Sequence, residues 1–301
     1  MISPDKPLPP SATFLLTVPD QPGLVARFAG FFWELGLNII DSSNHGTRGA
    51  NPRFHMRIVV DLAALSSPGA HLALGDSTSR RSLEAAFGRL AAGLSATWSV
   101  AYSDVPAKIA VLVTKESACL YDLILRQRQG ELPCEIALVI SNHPTLEAVA
   151  ESFRLPFFTL PVTSDTKRDQ EARLLELLRK HHVSLVVLAR YMQVLTADFL
   201  AAGPPVINIH HGFLPAFQGA RPYHQAFERG VKLIGATAHY ATADLDEGPI
   251  IEQDVVRVTH AMGPEELSRI GRDVERVVLS RAVRAHLERR VVVEGRRTLV
   301  L

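Results

Sequence analysis

Three short, almost purely apolar runs follow residue 105 and constrain the fold more than any other feature of the chain. They read IAVLVT at 109–114, CEIALVI at 134–140 and VSLVVLA at 183–189, and segments with helical spacing separate them. Strands that are apolar on both faces belong to parallel sheets, because crossover helices cover both sides of such a sheet. The pattern therefore predicts an α/β fold with a Rossmann-like, mostly parallel sheet.

The residues before 105 have a different texture, in which strands alternate with amphipathic helices. The apolar spacing predicts strands at 12–18, from 38–40 onward, at 53–62 and at 95–103, and helices at 24–35 and 79–94. This β-α-β-β-α-β order is that of the ferredoxin-like split unit. We therefore predict two domains, residues 1–104 and 105–301, at an ordinary size of about 100–200 residues each.

Composition excludes several classes of function. The chain has 32 basic and 31 acidic residues and a net charge of +1, so no extended field attracts nucleic acid or an acidic membrane surface. Two cysteines, Cys119 and Cys134, are too few for a disulfide framework and lack the paired spacing of a zinc site. Prolines interrupt the N-terminal segment where a signal peptide needs an apolar helix, so we expect a cytoplasmic protein.

The densest polar motif is NIHHGFLP at 208–215, directly after a short apolar run. Asn208 and His210 are two residues apart, so an extended backbone turns both side chains to one side, while Ile207 and Ile209 face the core. The motif lies at a strand end before a loop, which is where open α/β sheets build their binding sites. An amide and an imidazole are thereby placed together.

A second polar cluster follows in the segment GATAHYATADLDEGPII at 235–251. A strand bearing His239, a short loop and Asp246 before a second strand predict a hairpin that brings both side chains to one place. Taken alone, a histidine near a strand end is more often structural, and DEG is a common turn sequence. The combination of the two clusters favours a catalytic site.

The whole segment from 208 to 255, NIHHGFLPAFQGARPYHQAFERGVKLIGATAHYATADLDEGPIIEQDV, is similar to the folate-dependent formyltransferases. The paired histidines and the motif GARPYHQAFERG most resemble the deformylase family within that superfamily. This resemblance implies a catalytic domain of the formyltransferase type that hydrolyses 10-formyltetrahydrofolate to formate and tetrahydrofolate. It also implies a place in one-carbon metabolism, with the formate available to purine synthesis. One departure from the family is Gly212, where a serine is expected.

The resemblance also implies roles for individual residues. Asn208, His210 and Asp246 form the catalytic trio, and His239 supports them. The folate lies along residues 188–195 and the loop before Asp246, with binding residues Arg190, Tyr191, Met192, Thr242 and Leu245. We expect neither a metal nor a cofactor, because the folate is a substrate and no further ligand completes a metal site.

The alternative reaction is formyl transfer to an amine such as glycinamide ribonucleotide. A phosphorylated acceptor is best held by a glycine-rich turn that opens a helix. The corresponding segment here, VTKESACLYD at 113–122, contains no glycine and carries Glu116, which repels phosphate. Water is therefore the simplest acceptor. A folate sensor without turnover is a further alternative, but it has no use for Asn208, His210 and Asp246 together.

The N-terminal segments VPDQPGLVA at 18–26 and GLNI at 36–39 resemble ACT domains. ACT domains pair side by side and bind small amino acids where they meet, so the resemblance implies a homo-oligomer with an effector such as glycine or methionine. Asp20, Gly23 and Asn38 are the candidate effector residues. The alternative is a domain that only assembles the oligomer.

Overall fold

The computed structural model describes residues 10–66, 79–216 and 222–301. Contacts divide these residues into two compact units, the first formed by residues 10–106 with Glu288–Val292 and Leu301, and the second by Ala107–Leu287 with Val293–Val300. The sequence did not indicate that a C-terminal segment joins the first unit. No helix within the described ranges combines the length and the apolarity needed to cross a membrane.

The first unit contains the predicted order of strands and helices. Its elements are β1 Ser11–Pro19, α1 Leu24–Glu34, β2 Ile39–Gly46, β3 Arg53–Asp61, α2 Arg80–Gly93 and β4 Thr97–Tyr102. The described strands form an antiparallel sheet in the order β2-β3-β1-β4. This is the ferredoxin-like arrangement, in which the two helices follow the first and third strands.

Strict alternation along β1 decides which face of this sheet the helices cover. Every second residue of β1 is buried, including Phe14, because successive side chains of a strand point to opposite faces. The Phe14 ring lies 5.2 Å from that of Phe32 in α1 and 4.5 Å from that of Phe87 in α2. Both helices therefore pack on the same face and share one aromatic core.

The second unit carries the sheet that positions the candidate site. Its strands are β5 Ala107–Val113, β6 Cys134–Ser141, β7 Phe157–Thr159, β8 Leu185–Leu188, β9 Val206–His210, β10 Leu233–Tyr240 and β11 Ile250–Arg257, and the chain ends with β12 Val291–Glu294 and β13 Arg297–Val300. Its helices are α3 Ala118–Arg128, α4 Glu147–Ser152, α5 Lys167–Lys180, α6 Ala197–Ala202, α7 Pro222–Glu228 and α8 Pro264–Leu287.

Within the described residues the sheet order is β12-β13-β11-β10-β9-β8-β5-β6-β7. The five strands from β9 to β7 in that order run parallel. Strand β10 is antiparallel to both β9 and β11, and β11 pairs in parallel with β13. The predicted mostly parallel α/β sheet is therefore confirmed. The carboxyl ends of β5, β8 and β9 share one edge of the sheet, and β8 lies between the other two.

Two apolar runs illustrate strands that are shorter than the sequence pattern. In the run PFFTLPV at 156–162 the strand covers only Phe157–Thr159, because Pro161 has no N–H to continue the ladder. The strand predicted at 95–103 begins at Thr97, because Ser95 has a left-handed backbone with φ 55° and its N–H bonds to Ala92 at the end of α2. Both differences lie at the ends of elements, where local periodicity is least informative.

Candidate active site

Pairing between β9 and β10 brings together the two polar clusters of the sequence. Asn208 lies directly opposite His239, and His210 lies opposite Thr237. The Asn208 side-chain nitrogen Nδ2 is 3.2 Å from His239 Nε2. The antiparallel register therefore brings the side chains of two distant sequence motifs together as a cross-strand pair.

Asp246 joins this pair from the loop that connects β10 to β11. Its carboxylate lies 3.2 Å from His210 Nδ1 through Oδ2 and 3.7 Å from His239 Nε2 through Oδ1. The loop returns tightly, since a Cβ atom at Gly248 would lie 1.7 Å from the Tyr240 carbonyl oxygen. The predicted hairpin is present, and it brings Asn208, His210, His239 and Asp246 together.

The hydrogen bonds of His239 define its tautomer in the neutral form. Its Nδ1 is 2.9 Å from the backbone oxygen of Tyr240, and a carbonyl oxygen can only accept, so Nδ1 carries the proton. His239 Nε2 then accepts a hydrogen bond from the Asn208 amide. His239 thereby fixes the orientation of the Asn208 side chain, with the amide nitrogen toward the histidine.

Opposing effects act on the pKa of Asp246. Burial favours the neutral carboxyl group, but hydrogen bonds and charge from His210, and from His239 in its protonated form, outweigh it and hold the Asp246 pKa well below its usual range. The group is therefore ionised throughout the physiological range. A carboxylate between two imidazoles is suited to orienting a water molecule and receiving its proton through the adjacent histidine.

The depressed pKa makes a prediction for stability against pH. A group with a lowered pKa stabilises the fold above its unfolded value of about 3.9, and this contribution is lost as the pH falls through the folded-state value. We expect wild type to melt at a higher temperature than Asp246→Asn at about pH 5, and the gap to narrow as the pH drops below about 4. Thermal melts of both proteins over this range test it. A gap that widens on acidification would contradict the low pKa.

A cavity of about 280 Å³ opens beside these four side chains. The five residues predicted to bind folate all contribute to its wall: Arg190, Tyr191, Met192, Thr242 and Leu245. The Tyr191 hydroxyl turns away to bond Gln170 Nε2 at 2.8 Å, so Tyr191 contributes a flat apolar surface. Met192 and Leu245 are more than half exposed and form part of the rim.

Polar anchoring of the cavity wall comes from the ends of neighbouring strands. The Met192 backbone N–H donates to Thr114 Oγ1 at 3.0 Å, and Thr114 donates to Asn142 Oδ1 at 2.8 Å. These bonds fix the segment after β8 to the ends of β5 and β6. An apolar slot with a few fixed polar groups is the usual composition of a small-molecule site.

Sequence reasoning missed a buried cluster formed by Arg190, His211, Tyr223 and Glu275. Glu275 in α8 is 1% exposed, accepts a hydrogen bond from the Tyr223 hydroxyl at 2.7 Å and lies 3.5 Å from Arg190 Nη1. Burial, together with the charges of Arg190 and His210, lowers the His211 pKa to about 3, so His211 is neutral. A glutamate in a charged amphipathic helix gave no sign of this role.

The three residues predicted to bind an effector do not lie together within one chain. Asp20 and Gly23 follow the end of β1, whereas Asn38 precedes β2 beside the start of β1, at the opposite end of the sheet. Residues 219–221 of the GARPYHQAFERG motif are outside the described residues. Among the described residues, His, Cys, Asp and Glu form no group of three suited to a metal ion.

The fold and the site define the class of protein. Residues 107–283 match the family model described as formyl transferase. A formyltetrahydrofolate deformylase of Synechocystis is 50% identical over 96% of this chain and 98% of its own length, and that of Escherichia coli is 43% identical over 94% and 95%. The chain belongs to the formyltetrahydrofolate deformylase family.

Solved structures agree with this assignment. A formyltetrahydrofolate deformylase from Pseudomonas syringae superposes with a TM-score of 0.90 at 40% identity, covering 97% of this chain and 95% of that one. A glycinamide ribonucleotide transformylase from Symbiobacterium toebii reaches a TM-score of 0.62 at 35% identity, covering 65% of this chain and 94% of its own. The transformylase therefore lacks a counterpart to about a third of this chain.

Proposed function

We propose that this protein hydrolyses 10-formyltetrahydrofolate to formate and tetrahydrofolate. The observation that carries the proposal is the meeting of Asn208, His210 and Asp246 at one end of a cavity with an apolar wall. Similarity to deformylases over almost the whole chain supports hydrolysis over transfer to an amine. The folate is a substrate, and the reaction requires no cofactor or metal.

The proposed mechanism follows from the charges that develop during the reaction. Water attacks the formyl carbon, and the new C–O bond creates a tetrahedral oxyanion that Asn208 and a protonated His210 stabilise by donating hydrogen bonds. Asp246 orients the water and accepts or relays its proton. The bond between carbon and the folate nitrogen then breaks, the nitrogen takes up a proton, and formate leaves.

Among the described residues, the segment between β5 and α3 does not form the glycine-rich turn that would hold the phosphate of an acceptor such as glycinamide ribonucleotide. The segment between β5 and α3 has no glycine, and Lys115 and Glu116 are exposed there. Ser117 at the start of α3 makes no side-chain capping bond. The carboxylate of Glu116 opposes phosphate binding at this helix start.

One assay separates the two functions. Purified protein is given 10-formyltetrahydrofolate without an amine, and formate is measured against time. Hydrolysis predicts one formate for each tetrahydrofolate formed, with no change on adding glycinamide ribonucleotide. Formate-free turnover that begins only when the amine is present would establish the transferase instead.

We propose further that the first unit is an ACT-type domain that assembles the protein and binds an amino acid such as glycine or methionine. β2 is an edge strand, and Gly46 at its end lies beside Asp20, since a Cβ there would be 3.6 Å from the Asp20 carboxylate. Antiparallel pairing of β2 with a second copy would bring Asn38 of the partner subunit toward Asp20 and Gly23. This supports one effector site built from two chains in a homo-oligomer.

Titrating glycine and methionine against formate release tests this regulation, with Asp20→Ala as the variant that loses the response. Unchanged kinetics with both amino acids would leave assembly as the domain's role. We also propose a cytoplasmic location, where the formate released supplies purine synthesis.

A further inference from the structure

Arg190 lies between the segment after β5, where an amine acceptor would bind, and the end of β9, where it would react. A bulky acceptor held by the segment after β5 must reach the formyl group beside His210 at the end of β9. Strand β8 lies between β5 and β9, and Arg190 follows its end. The Arg190 backbone is left-handed, with φ 65°, a conformation that costs an arginine about 1 kcal/mol or more.

The Arg190 side chain lies beside a buried acidic partner. Its Nη1 is 3.5 Å from Glu275 in an ion pair without a hydrogen bond, and the Tyr223 hydroxyl donates to the other oxygen of that carboxylate. The Tyr223 ring occupies a slot in α8 that only a glycine leaves open, since a Cβ at Gly271 would lie 2.1 Å from the ring. Gly271 and Glu275 are one helical turn apart and so present one face to Tyr223.

This cluster extends from His210 to helix α8. The Tyr223 ring lies 6.1 Å from that of His211, which lies 5.3 Å from that of His210. Helix α8, which carries Glu275, also packs against α3, the helix after β5.

We propose that Arg190, paired with Glu275, is a specificity-determining residue that keeps amines away from the formyl carbon and so reserves the reaction for water. The inference rests on the proposed hydrolase function and adds the reason for its acceptor. Both nucleophiles form a bond to the formyl carbon, lose a proton and release the folate nitrogen, which gains one. Water yields formate, and an amine yields its N-formyl derivative.

Competition between water and glycinamide tests this inference in one reaction mixture. Glycinamide is a small primary amine without phosphate, and near pH 8 a large share of it is the free base, since α-amino groups titrate at about 7.7–8.0. The readout is the ratio of N-formylglycinamide to formate at saturating folate, after subtraction of the uncatalysed reaction. Because it is a ratio of products, a general loss of rate leaves it unchanged.

Arg190→Gly is the decisive variant, because glycine accepts the left-handed backbone and removes the whole side chain. We expect the product ratio to rise by at least about tenfold, the size of effect produced by opening room for a few atoms in a binding site. Arg154→Gly makes the same change at another left-handed arginine, φ 58°, in an exposed turn, and should keep the wild-type ratio. Arg190→Lys retains most of the volume and should also keep it.

Tyr223→Ala opens the same space by a second route and should raise the ratio too. Wild-type ratios in both Arg190→Gly and Tyr223→Ala, with melting curves that show folded protein, would overturn the inference. Loss of all formate release in folded Arg190→Gly would also overturn it, because Arg190 would then belong to the hydrolytic machinery. Absence of formate release from wild type would instead refute the proposed function.

Discussion

Asp246→Asn lowers kcat for formate release by about 1000-fold, in the middle of the range of about 100- to 10,000-fold for loss of a general acid–base group. The substitution keeps the size of the side chain but removes its negative charge and its ability to accept a proton. His210, 3.2 Å away, loses the carboxylate that stabilises its charged form. The water loses the group that orients it.

The matched control is Asp244→Asn, which makes the same chemical change two residues earlier in the same loop. Asp244 is exposed, and the hydrogen bond that Thr242 Oγ1 donates to it goes to the backbone oxygen rather than to the carboxylate. We expect kcat of this variant to stay within about twofold of wild type, because kcat depends on interactions made in the transition state and Asp244 is not part of the cavity wall. Steady-state formate assays of both variants at saturating folate make the comparison.

A double variant tests whether Asp246 and His210 act together or contribute independently to kcat. If Asp246 and His210 act as one proton-handling unit, His210→Gln combined with Asp246→Asn costs about as much as the worse single change, because removing either member disables the pair. Losses that multiply would show that the two side chains act independently. A rise in KM alone would move Asp246 from the chemistry to folate binding.

The sequence predicted that the four residues of the candidate site would meet, because the information for each pair is local. Asn208 and His210 sit two apart on a strand, and His239 and Asp246 flank one hairpin loop, so strand periodicity and turn chemistry already place each pair. The structure adds the β9–β10 register that joins the pairs. That register depends on burial of both strands in the full sheet, which no single segment encodes.

The buried cluster behind His211 could not be predicted, because its residues are far apart in the sequence. Tyr223 and Glu275 are separated by 52 positions, and Glu275 lies in a helix whose many charges indicate a solvated face. In the sequence, Gly271 in the same helix appears only as a residue of low helix propensity. Gly271 leaves room for the Tyr223 ring and Glu275 accepts a hydrogen bond from its hydroxyl. This shared contact with Tyr223 follows from the packing of α8 against its neighbours.

Asn208→Ala lowers kcat by about 100- to 1000-fold with little change in KM, the usual cost of one donor to a developing oxyanion. Asn208 is half-buried at the cavity, and its orientation is fixed by the 3.2 Å bond to His239 Nε2. A donor that is already held in place does not have to reorient when negative charge develops in the transition state. It therefore stabilises the transition state more than the bound substrate.

Asn208→Asp distinguishes this role from simple space filling, because aspartate has nearly the same shape but donates no hydrogen bond when ionised. If donation matters, the aspartate variant loses at least as much kcat as the alanine variant, since its charge also repels the oxyanion. If Asn208 only fills space beside His239, the aspartate variant retains most of the activity. Equal KM values for all three proteins would place the loss in the chemical step, because a ground-state contact would raise KM as well.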